Sequence, residues 1–204
     1  MGITIGMALV DFIPVVLFFI SAVILQRELY PYLVKGAYSL LAAGSIMVFV
    51  GGFFKALWKL LYGLNLCDYV LLNHSFFPMQ GPGFVLFFMG LAGIWYKGKK
   101  NDVVAFSAVP VVFVSSLPFI IMQVIGLGGS QIVLAIVGLK KGNKKAALLF
   151  VLAFICMLGM GYLGAKFDDS SSMNWLAQVV NIFSMGFFLL GTLSVKKSGF
   201  DIHK

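Results

Sequence analysis

Charge is scarce in this chain: 15 Lys and Arg and 7 Asp and Glu make up 11% of its 204 residues. A soluble domain carries about 25% charged and 45–50% apolar residues. Histidine and cysteine are scarcer still, with two of each. His74 is predicted on one side of a membrane and His203 on the other, so they cannot share a metal, which excludes the His-rich zinc site of an intramembrane hydrolase. No serine–histidine pair is placed within plausible reach for catalysis. Cys67 is predicted outside and Cys156 in the middle of a span, too far apart in depth for a disulfide or a metal pair. What is abundant is apolar surface, at 61% of residues with a mean hydropathy of +1.02. One core cannot bury that much in water. The composition therefore excludes a soluble enzyme, a nucleic-acid-binding domain, a secreted disulfide scaffold and a disordered chain. The solvent is lipid.

A helical span needs about 20 mostly apolar residues. Seven segments are read as spans, roughly Gly2–Gln26, Gly36–Leu61, Gly81–Tyr96, Val103–Ser116, Pro118–Leu139, Ala146–Ala165 and Trp175–Val195. The division between the fourth and fifth falls at Leu117-Pro118, where proline disfavours helix before it and suits a first turn after it. The lysines test that division. Arg27, Lys35, Lys97, Lys99, Lys100, Lys140, Lys141, Lys144, Lys145, Lys196, Lys197 and Lys204 all fall on one side, 12 of the 15 basic residues. Basic residues concentrate on the cytoplasmic side of spans. The expected fold is thus an all-α integral membrane protein of seven helices in the cytoplasmic membrane, N-terminus outside and C-terminus inside. The net charge of +8 is this inside bias, with no basic face for nucleic acid. Trp58, Trp95 and Trp175 are expected among headgroups at span ends, as are Tyr62, Tyr96 and Tyr162. The first span carries Asp11 and lacks a basic leader, so it is not read as a cleavable signal.

An internal repeat is legible in outline. Phe12-Ile13-Pro14-Val15-Val16 opens the first apolar core, and Ser116-Leu117-Pro118-Phe119-Ile120 opens the fifth. Met89-Gly90 and Met185-Gly186 each lead toward lysines that end a span. A 3+1+3 parallel arrangement follows, with repeats 1–97 and 118–204 joined by a linker helix at 101–117. In span count and order this is similar to SWEET sugar transporters with their PQ-loop relatives, and to microbial rhodopsins. The likeness is one of topology alone. No Pro-Gln pair follows Pro14 or Pro118, and the seventh span has no lysine before Lys196 to form a retinal Schiff base.

Ionisable residues inside a span are expensive and mark function by default. Asp11 is the foremost, and Lys55 and Lys59, one turn apart on the second span, are its available partners. Lys55 is expected to turn inward to Asp11 and Lys59 to reach headgroups. Gln80, Gln123, Gln178 and Asn181 fall in the same outer half, whereas Gln131 does not. Together Asp11, Lys55, Gln80, Gln123, Gln178 and Asn181 are the expected binding residues of a polar pocket open to the outside. Gly51, Gly52, Gly126, Gly128 and Gly129 mark hinges or close helix packing. The apolar outer segment Leu64–Met79 is expected to lie on the interface or cap the pocket.

Three motifs carry less. Gly159–Gly164 spells GxGxxG, but no strand precedes it. Asn73-His74-Ser75 is a glycosylation sequon, with meaning only in a eukaryotic secretory route. Asp168 and Asp169, near Ser170–Ser172, Asp68 and His74, read as a solvated loop before a cation site. No catalytic set, metal or cofactor is expected. The partners are membrane lipids and a small polar solute, with a homo-oligomer or a membrane partner protein also open. A small-solute carrier is the leading function; a ligand-binding sensor or accessory subunit and a lipid-modifying enzyme are its alternatives.

Overall fold

A computed structural model describes residues 4–96, 117–165 and 171–201. Every regular element among them is helical. The chain runs through α1 (Ile5–Val10), α2 (Phe12–Leu29), α3 (Lys35–Gly63), a short α4 (Val70–His74) and α5 (Phe76–Ala92), which closes in a 3-10 turn at Gly93–Trp95. It continues with α6 (Leu117–Lys140), α7 (Lys144–Ala165) and α8 (Ser171–Ser198). Five stretches are long and apolar enough to cross a membrane: Ile5–Leu29, Lys35–Gly63, Val70–Trp95, Leu117–Lys140 and Ser172–Ser198. With α7 as a further long helix of 22 residues, the described chain is a multi-pass, all-helical membrane protein. Six long helices are described where seven are expected, and the expected span Val103–Ser116 lies outside the described residues.

Local chemistry explains the ends. Thr4 Oγ1 accepts from the Met7 N–H at 3.2 Å and opens α1. α1 stops at Val10 because Pro14, four residues on, has no N–H for that carbonyl and its ring crowds it. Asp11 sits at this joint. The third expected span starts earlier than read, at Phe76, because Pro78 falls in the first turn of α5, where proline is tolerated. Other ends run past the apolar limits: α3 begins on Lys35, α6 ends on Lys140 and α8 carries Lys196 and Lys197 in its last turn. The backbone dipole favours the lysines at the C-terminal ends of α6 and α8, whereas Lys35, at an N-terminus, is accommodated by its long stem reaching water. The α6–α7 turn uses Gly142 at φ 69°, and Asn143 Oδ1 then caps α7 by accepting from the Ala146 N–H at 2.9 Å.

The long helices form a ring in which each packs on the next, α2–α3–α5–α6–α7–α8, and α8 returns to α2. Four of these seams are antiparallel. Phe12 meets Phe53 while Tyr30 meets Tyr38 across α2 and α3, and Gly51 faces Met79 while Gly90 faces Leu41 across α3 and α5. Gly128 meets Phe154 and Gly138 meets Ala147 across α6 and α7; Gly191 meets Phe150 and Gly159 meets Val180 across α7 and α8. Two seams are parallel. Gly81, Gly126 and Gly129 of the α5–α6 seam lie against Phe119, Phe84 and Phe88 in ascending order. Across α2 and α8 the pairs are Met7–Gln178, Phe18–Phe188 and Glu28–Lys196. The last residue of α5 and the first of α6 therefore stand at opposite ends of the bundle. At its middle, Phe18 meets Phe84, Phe87 and Phe188, and Phe150 meets Phe188, with centroids 5.5–6.4 Å apart.

Candidate functional site

Four helices, α2, α5, α6 and α8, run the same way through the ring. Each carries a polar residue two turns before its central core position. Asp11 precedes Phe18 by seven positions, Gln80 precedes Phe87, Gln123 precedes Ser130, and Asn181 precedes Phe188. Seven residues are close to two helical turns, so each polar residue lies on the inward stripe about 10 Å nearer the amino-terminal end. Phe18, Phe87, Ser130 and Phe188 are buried, while Asp11, Gln80, Gln123 and Asn181 are only half-buried. Their common depth produces a polar layer over a closed phenylalanine cluster.

Within this layer the side chains are linked. Gln123 Nε2 donates to Gln80 Oε1 at 3.2 Å, tying α6 to α5, and Gln80 Nε2 donates to the Val48 carbonyl of α3 at 3.4 Å. Gly51 and Gly52 make room for Gln80: a methyl at Gly51 would meet its Cγ at 3.1 Å, and one at Gly52 its Nε2 at 3.1 Å. Gln178 lies one turn further out at 5% exposure, its Nε2 donating to the Met7 carbonyl at 3.1 Å. Its Oε1 has no partner.

Asp11 pairs with Lys59, not with Lys55 as expected. The Lys59 and Asp11 side chains are 12% and 14% exposed. The joint made by Pro14 sets Asp11 at the very start of α2, and in the antiparallel α2–α3 seam the outer of the two lysines reaches it. Lys55 instead places its ammonium 4.0 Å from the centroid of the Phe76 ring and 5.8 Å from that of Phe77. An aromatic face attracts a desolvated cation.

One further expectation is corrected. Trp58 is not a headgroup anchor: it is 6% exposed, and its Nε1–H donates to Asp68 Oδ1 at 2.8 Å. Of the two placements expected for Leu64–Met79, interface or cap, its exposed apolar side chains suit the interface. α4 buries none of its residues, and Leu64, Leu66, Tyr69 and Leu71 are exposed. Asp68 borders a shallow depression with Tyr62, Asn65 and Cys67.

The glycines of α6 lie at contacts inside an unbroken helix. A methyl at Gly126 would strike the Phe84 and Val85 backbone, and methyls at Gly128 and Gly129 would meet the Phe154 and Phe88 rings at 2.9 and 2.8 Å. Gly159–Gly164 lies within α7. Asp168 and Asp169 lie outside the described residues, and among those described no group of His, Cys, Asp and Glu is placed to hold a metal.

Two residues outweigh what sequence assigns them. Asn143 ties the α6–α7 turn to α8, its Nδ2 donating to the Ser194 carbonyl at 2.9 Å and to Ser198 Oγ at 2.8 Å. A turn asparagine before a helix signals the cap but not the tie. Gln131, excluded from the outer set by depth, is buried at the centre. Comparison with family models, with curated proteins and with solved structures finds no match to this chain.

Proposed function

We propose that this protein is a seven-span carrier for a small polar solute in the cytoplasmic membrane, with its polar layer open to the outside. The observation that carries the reading is the shared depth of Asp11, Gln80, Gln123 and Asn181 on four parallel helices, above the phenylalanine cluster. Polar side chains inside a membrane bundle line solute paths or glue helices. Glue accounts for the bonds of Gln80 to Gln123 and Val48 and for the Asp11–Lys59 pair; it does not account for Asn181, nor for four helices carrying half-buried polar groups at one level.

The ring also divides along its two parallel seams, α5–α6 and α8–α2, into units α2–α3–α5 and α6–α7–α8 of the same order and direction. Such units fit a parallel repeat, and rocking between them would part the phenylalanine cluster toward the inside. The return from the end of α5 to the start of α6 asks for one more crossing, which residues 97–116 are long enough to make. The lysine-rich ends then all face the cytoplasm.

The test is uptake into proteoliposomes from a panel of labelled sugars, polyols, amino acids and amides. Saturable uptake of at least one is expected, lost in Gln123→Leu and in Asn181→Leu. Uptake no greater than in protein-free liposomes, or indifferent to both substitutions, overturns the reading.

A further inference from the structure

Gln131 differs from the other buried polar side chains of the bundle. It is 1% exposed, and neither its amide nitrogen nor its amide oxygen has a hydrogen-bond partner. Among the described residues the buried hydroxyls are all bonded. Ser21, Ser45, Ser130 and Thr192 donate to the carbonyl one turn back in their own helices, and Ser184 donates to the Ala153 carbonyl at 3.1 Å. The neighbours of Gln131 fix its depth. Gly129 packs on Phe88 and Gly128 on Phe154 and Met157, so the amide stands level with the phenylalanine cluster. It lies eight residues, about 12 Å, inward of Gln123 on the same helix. A dry amide there forfeits the hydration of both its groups and gains nothing in return. Leucine or methionine would fill the space without that loss.

On the carrier reading, we propose that Gln131 is the inner station of the path, and that the solute is a small neutral molecule, water included, that both donates and accepts hydrogen bonds. A primary amide offers two donors and a carbonyl acceptor and no charge. The nearby charges of the outer layer are already committed, Asp11 to Lys59 and Lys55 to the Phe76 ring. Gln80, Gln123 and Asn181 present amides as well. An ion arriving at Gln131 would find no counter-charge among phenylalanines, whereas a neutral donor–acceptor molecule would satisfy both orphaned groups.

The experiment uses stopped-flow light scattering on proteoliposomes challenged with urea, glycerol, choline chloride or a sucrose gradient that reads water alone. Wild-type protein is expected to raise the urea or glycerol rate over empty liposomes and to leave choline excluded. Gln131→Leu, or Gln131→Met should leucine not fold, is expected to melt at a higher temperature and to lower that rate at least tenfold. A fall in water permeability alone makes water the occupant. Unchanged permeation in a stabilised variant overturns the inference and makes Gln131 a packing defect. If wild-type protein passes neither urea, glycerol nor water, the uptake panel decides the carrier reading separately, and Gln131→Cys in a Cys67→Ser, Cys156→Ser background decides the station. Modification by a small hydrophilic thiosulfonate keeps a polar site there; no modification rejects it.

Discussion

Removing one half of the Asp11–Lys59 pair is expected to cost more than removing both. Asp11→Leu strands an ammonium, and Lys59→Met strands a carboxylate, in a place where each is nearly enclosed. Breaking a buried pair costs roughly 3–5 kcal/mol, whereas an apolar replacement of both is close to neutral. Thermal unfolding in detergent should show each single variant melting well below wild type and the double variant recovering most of the loss. Additive losses would show that the two charges do not depend on each other. That Asp11 needs a cationic partner is legible in sequence, since Lys55 and Lys59 are the cations at comparable depth. Which lysine serves is not legible. The choice rests on the α2–α3 register and on the joint Pro14 makes at Val10, and neither has a local signature beyond the proline itself.

At the scale of the element, apolar runs disclose where helices lie, and the end residues disclose less. Helices continue through Lys35, Lys140 and Lys196 because a lysine stem stays in the membrane while its ammonium reaches water. A glycine run such as Gly126–Gly129 is ambiguous in sequence because helix cost and close approach use the same residue. The neighbour's backbone decides. Gly126→Ala is expected to destabilise by about 1–3 kcal/mol, since Phe84 and Val85 present main chain that cannot turn aside. Gly186→Ala, with open space around it, should be neutral or slightly stabilising by the same melting assay. Asn143 allows a finer separation. Asn143→Asp keeps the oxygen that caps Ala146 and removes the donors to Ser194 and Ser198. Asn143→Ala removes both, for about 1–2 kcal/mol. The aspartate variant should melt between alanine and wild type, and equal melting of the two variants would assign the whole effect to the tie with α8.

For the whole molecule, the decisive relation is that α5 and α6, neighbours along the chain and in space, run parallel. Antiparallel neighbours can be joined by a short turn, as Gly142 and Asn143 join α6 to α7. Parallel ones require the chain to travel back along the full length of the helix. Sequence reaches the same parity by a separate route, since Lys97–Lys100 and Lys140–Lys145 share a side only if an even number of crossings separates them. The two arguments use different physics, contact order along a seam and charge at the membrane surface. Together they make a sharp expectation for residues only 21 positions apart. In a Cys67→Ser, Cys156→Ser background, Leu117→Cys should react with an impermeant maleimide in intact cells, and Tyr96→Cys should react only after permeabilisation. Native Cys67, which is exposed beyond the end of α3, should react like Leu117→Cys. Labelling of positions 96 and 117 from the same side would make α5 and α6 antiparallel in the membrane. That outcome would reject the seventh crossing, and the repeat with it, because the two three-helix units could no longer share a direction.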